Sequence, residues 1–460
     1  MKVLKFGGTS VGDAERIERV ARLAAERAGS GALVVVSAMS GVTDLLLSLS
    51  AASLRKDRTA VEETLRRLGE RHREAVDALG LAAEQAEECR RAVGRELARL
   101  GDLSTGVSLL GELSPRTADA VAAAGELLCV ALVHAAMERQ GTDVVAVDPR
   151  ELVATDASFG AATPDEAAIA ELSGRLLAPR LAEGKVVLTG GFVGRSRDGS
   201  TTTLGRGGSD YSAALLGAGL ADAGVEVSAI EIWTDVDGIL TADPRVVPAA
   251  RLVPEVGYSE AAELAFFGAK VLHPATIRPA VTRGIPVVVK NTFCPDASGT
   301  VVRAEAPGGG VRALAMRRGV AALFVSSPRM LLAHGFAARV FAAFERRRVS
   351  VDVITTSEVS ISITVDERAP LDDLVRDLSE LSEVSVLRGL AVVSVVGKAL
   401  RATPGVAARI FSALGSINVV MISQGASETN LTFVVEAVEA AEALRRLHRE
   451  LFEAGEEAPR

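Results

Sequence analysis

Cysteine and lysine are scarce in this chain, and several familiar catalytic signatures are missing. The 460 residues hold three cysteines, Cys89, Cys129 and Cys294, far apart in sequence. They form no CxxC pair, no Cys/His metal spacing and no even disulfide set. Reduced thiols and a cytoplasmic setting are expected. The opening "MKVLKFGGTS" lacks the apolar segment of a signal peptide. No uninterrupted apolar run reaches the roughly 18 residues that cross a bilayer, so no membrane partner is expected. Seven lysines stand against a large excess of arginine, and the net charge is −8. That balance argues against a nucleic-acid partner, since phosphate backbones demand basic faces. An anionic substrate would have to be met by a local cluster of cations. GxxxxGK[ST] is absent, which excludes a Walker-type nucleotide site. No GxGxxG follows a strand, which excludes a dinucleotide dehydrogenase. HExxH and GxSxG are absent too.

What is present is ordinary globular material, 48% apolar and 24% charged, long enough for two or three domains. Short β-branched runs at 1–8, 32–38, 143–148, 185–192, 227–235 and 286–291 read as strands. Their continuous apolar character suits a sheet covered on both faces. Helical stretches at 13–28, 116–140, 164–182, 209–221 and 259–270 alternate with them, predicting an α/β sandwich with a mostly parallel sheet. Residues 44–114 read as a helical insertion. "RAEAPGGGVRAL" (303–314) looks like a linker or an exposed hairpin turn.

Beyond it the chain repeats itself. "ARVFAAFERRRVSVDVITTSEVSISITV" (338–365) returns as "ARIFSALGSINVVMISQGASETNLTFVV" (408–435). Each copy reads strand, helix, strand, strand, helix. The first has a candidate closing strand near 383–388, whereas the second runs out of chain. Either the second copy is one strand short or an outside segment fills its sheet.

Several stretches carry chemistry. "KFGGTS" places Lys5 inside the first strand with Gly7 and Gly8 at its carboxyl end, where backbone N–H groups can approach an anion. The plainer alternative is a lysine reaching solvent from an edge strand. "VVVSAMSGVTD" (34–44) ends a strand in Ser37, Ser40, Gly41 and Thr43, either for ligand contact or to cap a helix on Thr43 or Asp44. Glu126 interrupts an apolar helix and needs a cation, from the protein or from a substrate. In "TTTLGRGGSDYSAALLGAGL" (201–220), Gly205, Gly207 and Gly208 free the backbone at a helix start. Arg206 offers a forked donor for a carboxylate. Ser209 and Asp210 stand where N-cap residues belong, and Asp210 could also answer Lys5. "WTDVDGILTADPR" (233–245) lacks the closing Glu of a calcium loop.

The order of "KFGGTS", "GELLC", "TTTLGRGGSD", "WTDVDGILTADPR", "FGAKVLHPATI" and "VSVDVITTSE" resembles the aspartate kinases of the amino-acid kinase superfamily, over essentially the whole chain. The monofunctional, lysine-sensitive type is the most similar. The resemblance implies an amino-acid-kinase α/β sandwich over 1–305, then two ferredoxin-like βαββαβ ACT repeats at 312–388 and 389–460. It implies transfer of a phosphoryl group from Mg²⁺-ATP to the side-chain carboxylate of L-aspartate, the first step toward lysine, threonine and methionine. Lys5 and Asp210 would be catalytic, with Gly7, Gly8, Thr9 and Ser10 on the phosphate side. Ser37, Thr43, Glu126, Phe192, Arg206 and Ser209 would bind aspartate. Thr234, Asp235, Leu240, Arg245, Lys270 and Val271 would face the nucleotide, and Mg²⁺ would sit on phosphate oxygens and water with no assigned protein ligand. Met330, Ser350, Val351, Asp352, Thr356, Ser357 and Glu358 would line an effector site, for lysine first and threonine second. A homodimer through the ACT repeats, or a tetramer, is implied. Two departures stand out. Leu240 replaces a Tyr at the nucleotide, and Ala333 and Ala337 replace a Ser and a Leu of the lysine pocket. An acetylglutamate or glutamate kinase, or a sensor without catalysis, are the rival readings.

Overall fold

The computed structural model describes all residues except 30, 269–271, 328–333 and 454–460. The chain divides into two compact units, Met1–Gly238 with Val271–Ala304, and Ile239–Lys270 with Glu305–Arg460.

The first unit is built on a sheet in the order Val144–Ala146, Val186–Gly190, Ala32–Val36, Lys2–Phe6, Ala229–Thr234, Val287–Asn291, Thr300–Arg303. All neighbours pair parallel except the last two strands. Ala32–Val36 and Val186–Gly190 are buried at every position, as a sheet covered by helices on both faces requires. The central strand, Lys2–Phe6, pairs with Ala32–Val36 on one side and Ala229–Thr234 on the other. The chain therefore leaves it in opposite directions, and a crevice opens at the carboxyl ends of these strands. Open α/β sheets bind ligands at such a reversal.

The expected helical insertion is three helices, Val42–Leu54, Arg58–Ala78 and Ala83–Leu110. Asp57 caps the second through the N–H of Ala60, and Gly111, at φ 71°, ends the third. The stretch Pro115–Arg139 is long and apolar enough to cross a membrane by composition. Two thirds of its apolar window is buried within the protein, with Leu128, Leu132 and Val133 fully enclosed. It is a core helix pair, broken at Ala123.

In the second unit the two repeats share one six-stranded sheet. The long strand Gly310–Ser326 answers the question of the missing strand. Its second half, Val320–Ser326, pairs with Ser360–Asp366 and with Glu383–Leu390 of the first repeat. Its first half, Gly310–Arg318, pairs with Ala391–Lys398 and so fills the sheet of the second repeat. The segment read as a linker or hairpin turn is thus largely strand from Gly310 onward. Register shifts beside Gly319, at φ 73°, mark the changeover. The expected 388/389 division falls inside the strand Glu383–Lys398, which serves both halves. Two apolar cores result. One gathers Leu323, Phe336, Phe344, Ile363 and Leu374, the other Val393, Ile410, Phe433, Leu444 and Leu447. Ala242 and Val247 belong to the second core, and the buried His448 bonds Thr241 through Nε2 at 2.9 Å. The segment holding Leu240 and Arg245 is therefore part of this unit.

Candidate active site

A cavity of about 530 Å³ opens at the carboxyl end of the central strand in the first unit. Lys5 lies in that strand, paired across to Val35 and Ile232, so the edge-strand alternative falls. Its residue is 8% exposed, and Nζ sits 2.7 Å from Asp210 Oδ1. A buried ammonium without a partner is costly, and Asp210 supplies the compensating charge. Gly7 follows at once, its N–H bonded to the Trp233 carbonyl at 3.0 Å. Gly8 approaches so closely that a Cβ there would stand 2.8 Å from the Ala38 carbonyl oxygen. Bare backbone is required at that wall.

Asp210 arrives on the helix Gly208–Asp222. The cap is not the predicted Ser209 or Asp210 but Gly207, left-handed at φ 71°, with no side-chain cap bond. Ser209 and Asp210 fall in the first turn and line the cavity. Likewise Gly41, not Thr43 or Asp44, begins the helix Val42–Leu54. In both places a left-handed glycine turns the chain and leaves the polar side chains free for the cavity.

Glu126 is the most perturbed group here. The helix Ala124–Arg139 comes so near the Ala32–Val36 strand end that a Cβ at Gly125 would lie 2.8 Å from the Ala38 Cβ. This brings Glu126 Oε1 within 3.3 Å of the Ala38 N–H. Burial pushes the carboxyl up to about 8, against the smaller lowering by the Ala38 N–H, its own N–H and the charge of Lys5. Phe192 also lines the cavity. Its φ of 66°, in a side-chain-bearing residue, is held by N–H donation to Ser212 Oγ at 2.9 Å and by its carbonyl, which accepts from Leu204 N.

The structure brings together Lys5, Gly7, Gly8, Thr9, Ser37, Thr43, Glu126, Phe192, Ser209, Asp210, Thr234 and Asp235 around this one cavity. It does not bring all the predicted residues there. Ser10 is buried beneath the loop, its hydroxyl 2.7 Å from that of Thr292. Arg206 is exposed between Gly205 and Gly207, both left-handed, and is not part of the cavity wall. Leu240 is half-buried in the second unit, and Arg245 is exposed there and paired with Asp243 at 2.7 Å. Lys270, Val271 and Met330 lie outside the described residues. Ala38, Met39 and Ala122 line the cavity without having been singled out. Ala38 left no signal in the sequence, because it contributes a backbone N–H.

In the second unit a cavity of about 620 Å³ is lined by Ser350 and Asp352 together with Arg317, Arg347, Arg348 and Arg368. Asp352 is already paired with Arg317, at 2.6 and 3.1 Å to the two nitrogens. Val351 packs on the first repeat's core, while Thr356 ends the strand Ile354–Thr356, Ser357 and Glu358 follow it, and these three exposed residues are not part of that cavity.

Comparison with known proteins agrees with this architecture. The model of the amino acid kinase family matches residues 1–291, and that of the ACT domain matches 324–370 and 393–451. Lysine-sensitive aspartokinase 3 of Escherichia coli is 40% identical, over 98% of this chain and 99% of its own length. The aspartokinase of Schizosaccharomyces pombe is 34% identical, over 98% and 92%. The crystal structure of E. coli aspartokinase III with lysine and aspartate superposes with a TM-score of 0.83, covering 98% of this chain and 100% of that one. A second E. coli structure, with aspartate and ADP, gives 0.81 at 39% identity over the same shares. With a paired lysine and aspartate at the sheet reversal, and relatives of this identity matching end to end, the chain belongs to the aspartokinases of the amino acid kinase family.

Proposed function

We propose that this chain transfers the γ-phosphoryl group of ATP to the side-chain carboxylate of L-aspartate within the first-unit cavity, giving 4-phospho-L-aspartate and ADP. One observation carries the assignment of roles: the Lys5–Asp210 pair, at 2.7 Å, shares the cavity with Glu126, a buried carboxyl without a contact cation among the described residues. The reaction joins two anions, and the attacking carboxylate is ionised at neutral pH, so no protein nucleophile or base is needed. Alignment and charge stabilisation suffice. Lys5 neutralises the moving phosphoryl group, and Asp210 holds the ammonium in place. Gly7, Gly8 and Thr9 admit the phosphates, with Thr234 and Asp235 on the nucleotide side. Glu126 receives the substrate ammonium. Ser37, Thr43, Phe192 and Ser209 shape the pocket around the substrate, and Arg206 folds in from its glycine frame onto the α-carboxylate.

Mg²⁺ suits this wall, whose donors are hard oxygens. Asp210 is committed to Lys5 and Glu126 to the substrate ammonium, so Asp235 is the carboxylate that would face an ATP-borne ion. The metal would there neutralise phosphate charge. Glu231, by contrast, is engaged by Lys2 at 2.8 Å and by the Trp233 indole N–H at 3.1 Å, and serves to fix the strand under the loop.

Residues 1–305 make the catalytic part in this reading, and 312–388 and 389–460 the ACT sequence repeats. Lysine is the effector, bound through Ser350, Val351, Asp352, Thr356, Ser357 and Glu358. Two chains pair through the repeats, where Ile354, Val359 and Ile422 are exposed. The protein acts in the cytoplasm.

The test is hydroxamate trapping of the acyl phosphate with aspartate, glutamate and acetylglutamate as acceptors. Product with aspartate alone is expected. Lys5→Ala and Asp210→Ala should fold and lose about 10²–10³-fold in kcat. Near-normal turnover in either variant removes that residue from the catalytic set.

A further inference from the structure

Asp119 is a carboxylate that the reaction does not use, and it is 3% exposed. It lies on the helix Pro115–Ala122, whose last residue lines the catalytic cavity and whose axis leads, past Ala123, to Glu126. Its hydrogen bonds leave that helix entirely. Oδ2 accepts from the Thr203 N–H at 2.8 Å and from the Gly160 N–H at 3.0 Å, and Oδ1 accepts from the Thr203 hydroxyl at 2.9 Å.

These partners bracket one feature. Thr203 ends the strand Thr201–Thr203, and Leu204 follows, its N–H bonded to the Phe192 carbonyl at 2.9 Å. Then come Gly205, Arg206 and Gly207. The Gly160 carbonyl lies 3.3 Å from where a Cβ on Gly205 would be, and Ala161 lies 3.4 Å from it. The Ala162 N–H, in turn, bonds the Thr203 carbonyl at 2.9 Å. One buried carboxylate thus ties down the strand before the left-handed Gly205 and the turn beneath it. The same side chain is carried by the helix that leads, through the break at Ala123, into the helix bearing Glu126.

We propose that Asp119 is a positioning residue for aspartate, setting the distance between the Glu126 helix and the Gly205–Asp210 segment. Three neutral donors on one carboxylate form a satisfied network, and such networks hold geometry that apolar packing leaves loose. Glu126 on one side and Arg206 with Ser209 on the other must grip opposite ends of a small substrate. A displacement of about 1 Å in such a frame costs on the order of 10²-fold in rate. The phosphate side, at Gly7–Thr9, is built from a different strand and does not depend on Asp119. The proposal rests on the aspartate-phosphorylating reading above.

The experiment measures KM for aspartate and for ATP, and the rise in melting temperature caused by aspartate, in the full chain. Asp119→Ala should raise the aspartate KM by about tenfold or more, with the ATP KM within about twofold of wild type. It should also weaken the aspartate-induced thermal shift. Asp119→Asn keeps one acceptor oxygen and should recover part of the loss. Thr203→Val removes only the hydroxyl bond and should shift the aspartate KM in the same direction by less. If Asp119→Ala does not fold, Asp119→Asn and Thr203→Val carry the test. An unchanged aspartate KM, or equal rises for both substrates, overturns the proposal. Wild-type protein inactive with aspartate would instead overturn the underlying reading.

Discussion

Each unit of this protein contains a buried carboxylate that was expected to meet an ammonium, and the two are treated differently. Among the described residues Glu126 has no cation in contact; it accepts a long N–H bond from Ala38 and is pushed up to about 8 by burial. Asp352 is also raised by burial, but Arg317 reaches both its oxygens and opposes that rise. The first site is incomplete until a cation arrives. The second is already neutralised, so an incoming ammonium must displace or share Arg317. An enzyme gains from a site completed by its substrate, because binding then supplies a charge that the fold left out. A sensor gains from a site with an internal competitor, because exchange of partners is itself a change of state.

The strongest way to break this contrast is Glu126→Gln. The aspartate KM should rise on the order of 10²-fold, since a charged contact in a low-dielectric pocket is lost. The same change should alter stability with a definite sign. The folded value lies above the ordinary glutamate range. Glu126 therefore contributes stability fully at acid pH and loses it as pH rises through about 8. The variant should melt above wild type at pH 9, with an advantage that shrinks as pH falls below about 8 and is gone only below about 4.5. A variant that melts below wild type at pH 9 would show that the carboxylate is compensated after all.

Next in size is Arg317→Ala. It leaves Asp352 without its partner and should destabilise the second unit by about 2 kcal/mol, less than the roughly 3–5 of a fully enclosed pair, because Arg317 keeps some exposure. Denaturant melts of the full chain check this. Adding Asp352→Leu should recover most of the loss, and failure to do so would mean that Arg317 acts elsewhere.

A smaller effect is the pH dependence of substrate binding. Below about 8 the free protein holds Glu126 protonated, and the aspartate ammonium favours the ionised form. The aspartate KM should fall as pH rises from 6 to 8, by up to about tenfold per unit. Calorimetry at pH 7 in two buffers should show close to one proton released on binding, and none for Glu126→Gln. The smallest change in turnover belongs to Asp352→Asn. It should leave kcat within about twofold while weakening lysine inhibition, whose usual coupling is about 1–3 kcal/mol. Unchanged inhibition would remove Asp352 from the effector site.

Much of the candidate cavity could be read from the chain, for a local reason. Lys5 in an apolar run and Glu126 in an apolar helix are conspicuous, since burying a charge is unfavourable without a purpose. Glycines at strand ends announce close backbone approach. Ser209 and Asp210 could be read as caps or as site residues, because both types cap helices, and only the left-handed Gly207 showed that the cap lies two residues before Ser209. Asp119 passed unnoticed in "SPRTADAVAA". An acid in a short helix looks like a solvated face until Thr203 and Gly160, 84 and 41 residues away, are seen to donate to it.

By itself the sequence determined the alternation of buried strands and amphipathic helices, the repeated tail, and the residue types at the cavity. These depend on periodicity and composition within short windows. Only the tertiary structure decided that Lys2–Phe6 lies at the centre of the sheet, that Gly310–Arg318 completes the second repeat, and that Asp352 is held by Arg317 while Glu126, among the described residues, has no cation in contact. Strand order, sheet exchange and charge pairing are contacts between residues tens to hundreds apart. Their energies arise only when packing has removed the water between them.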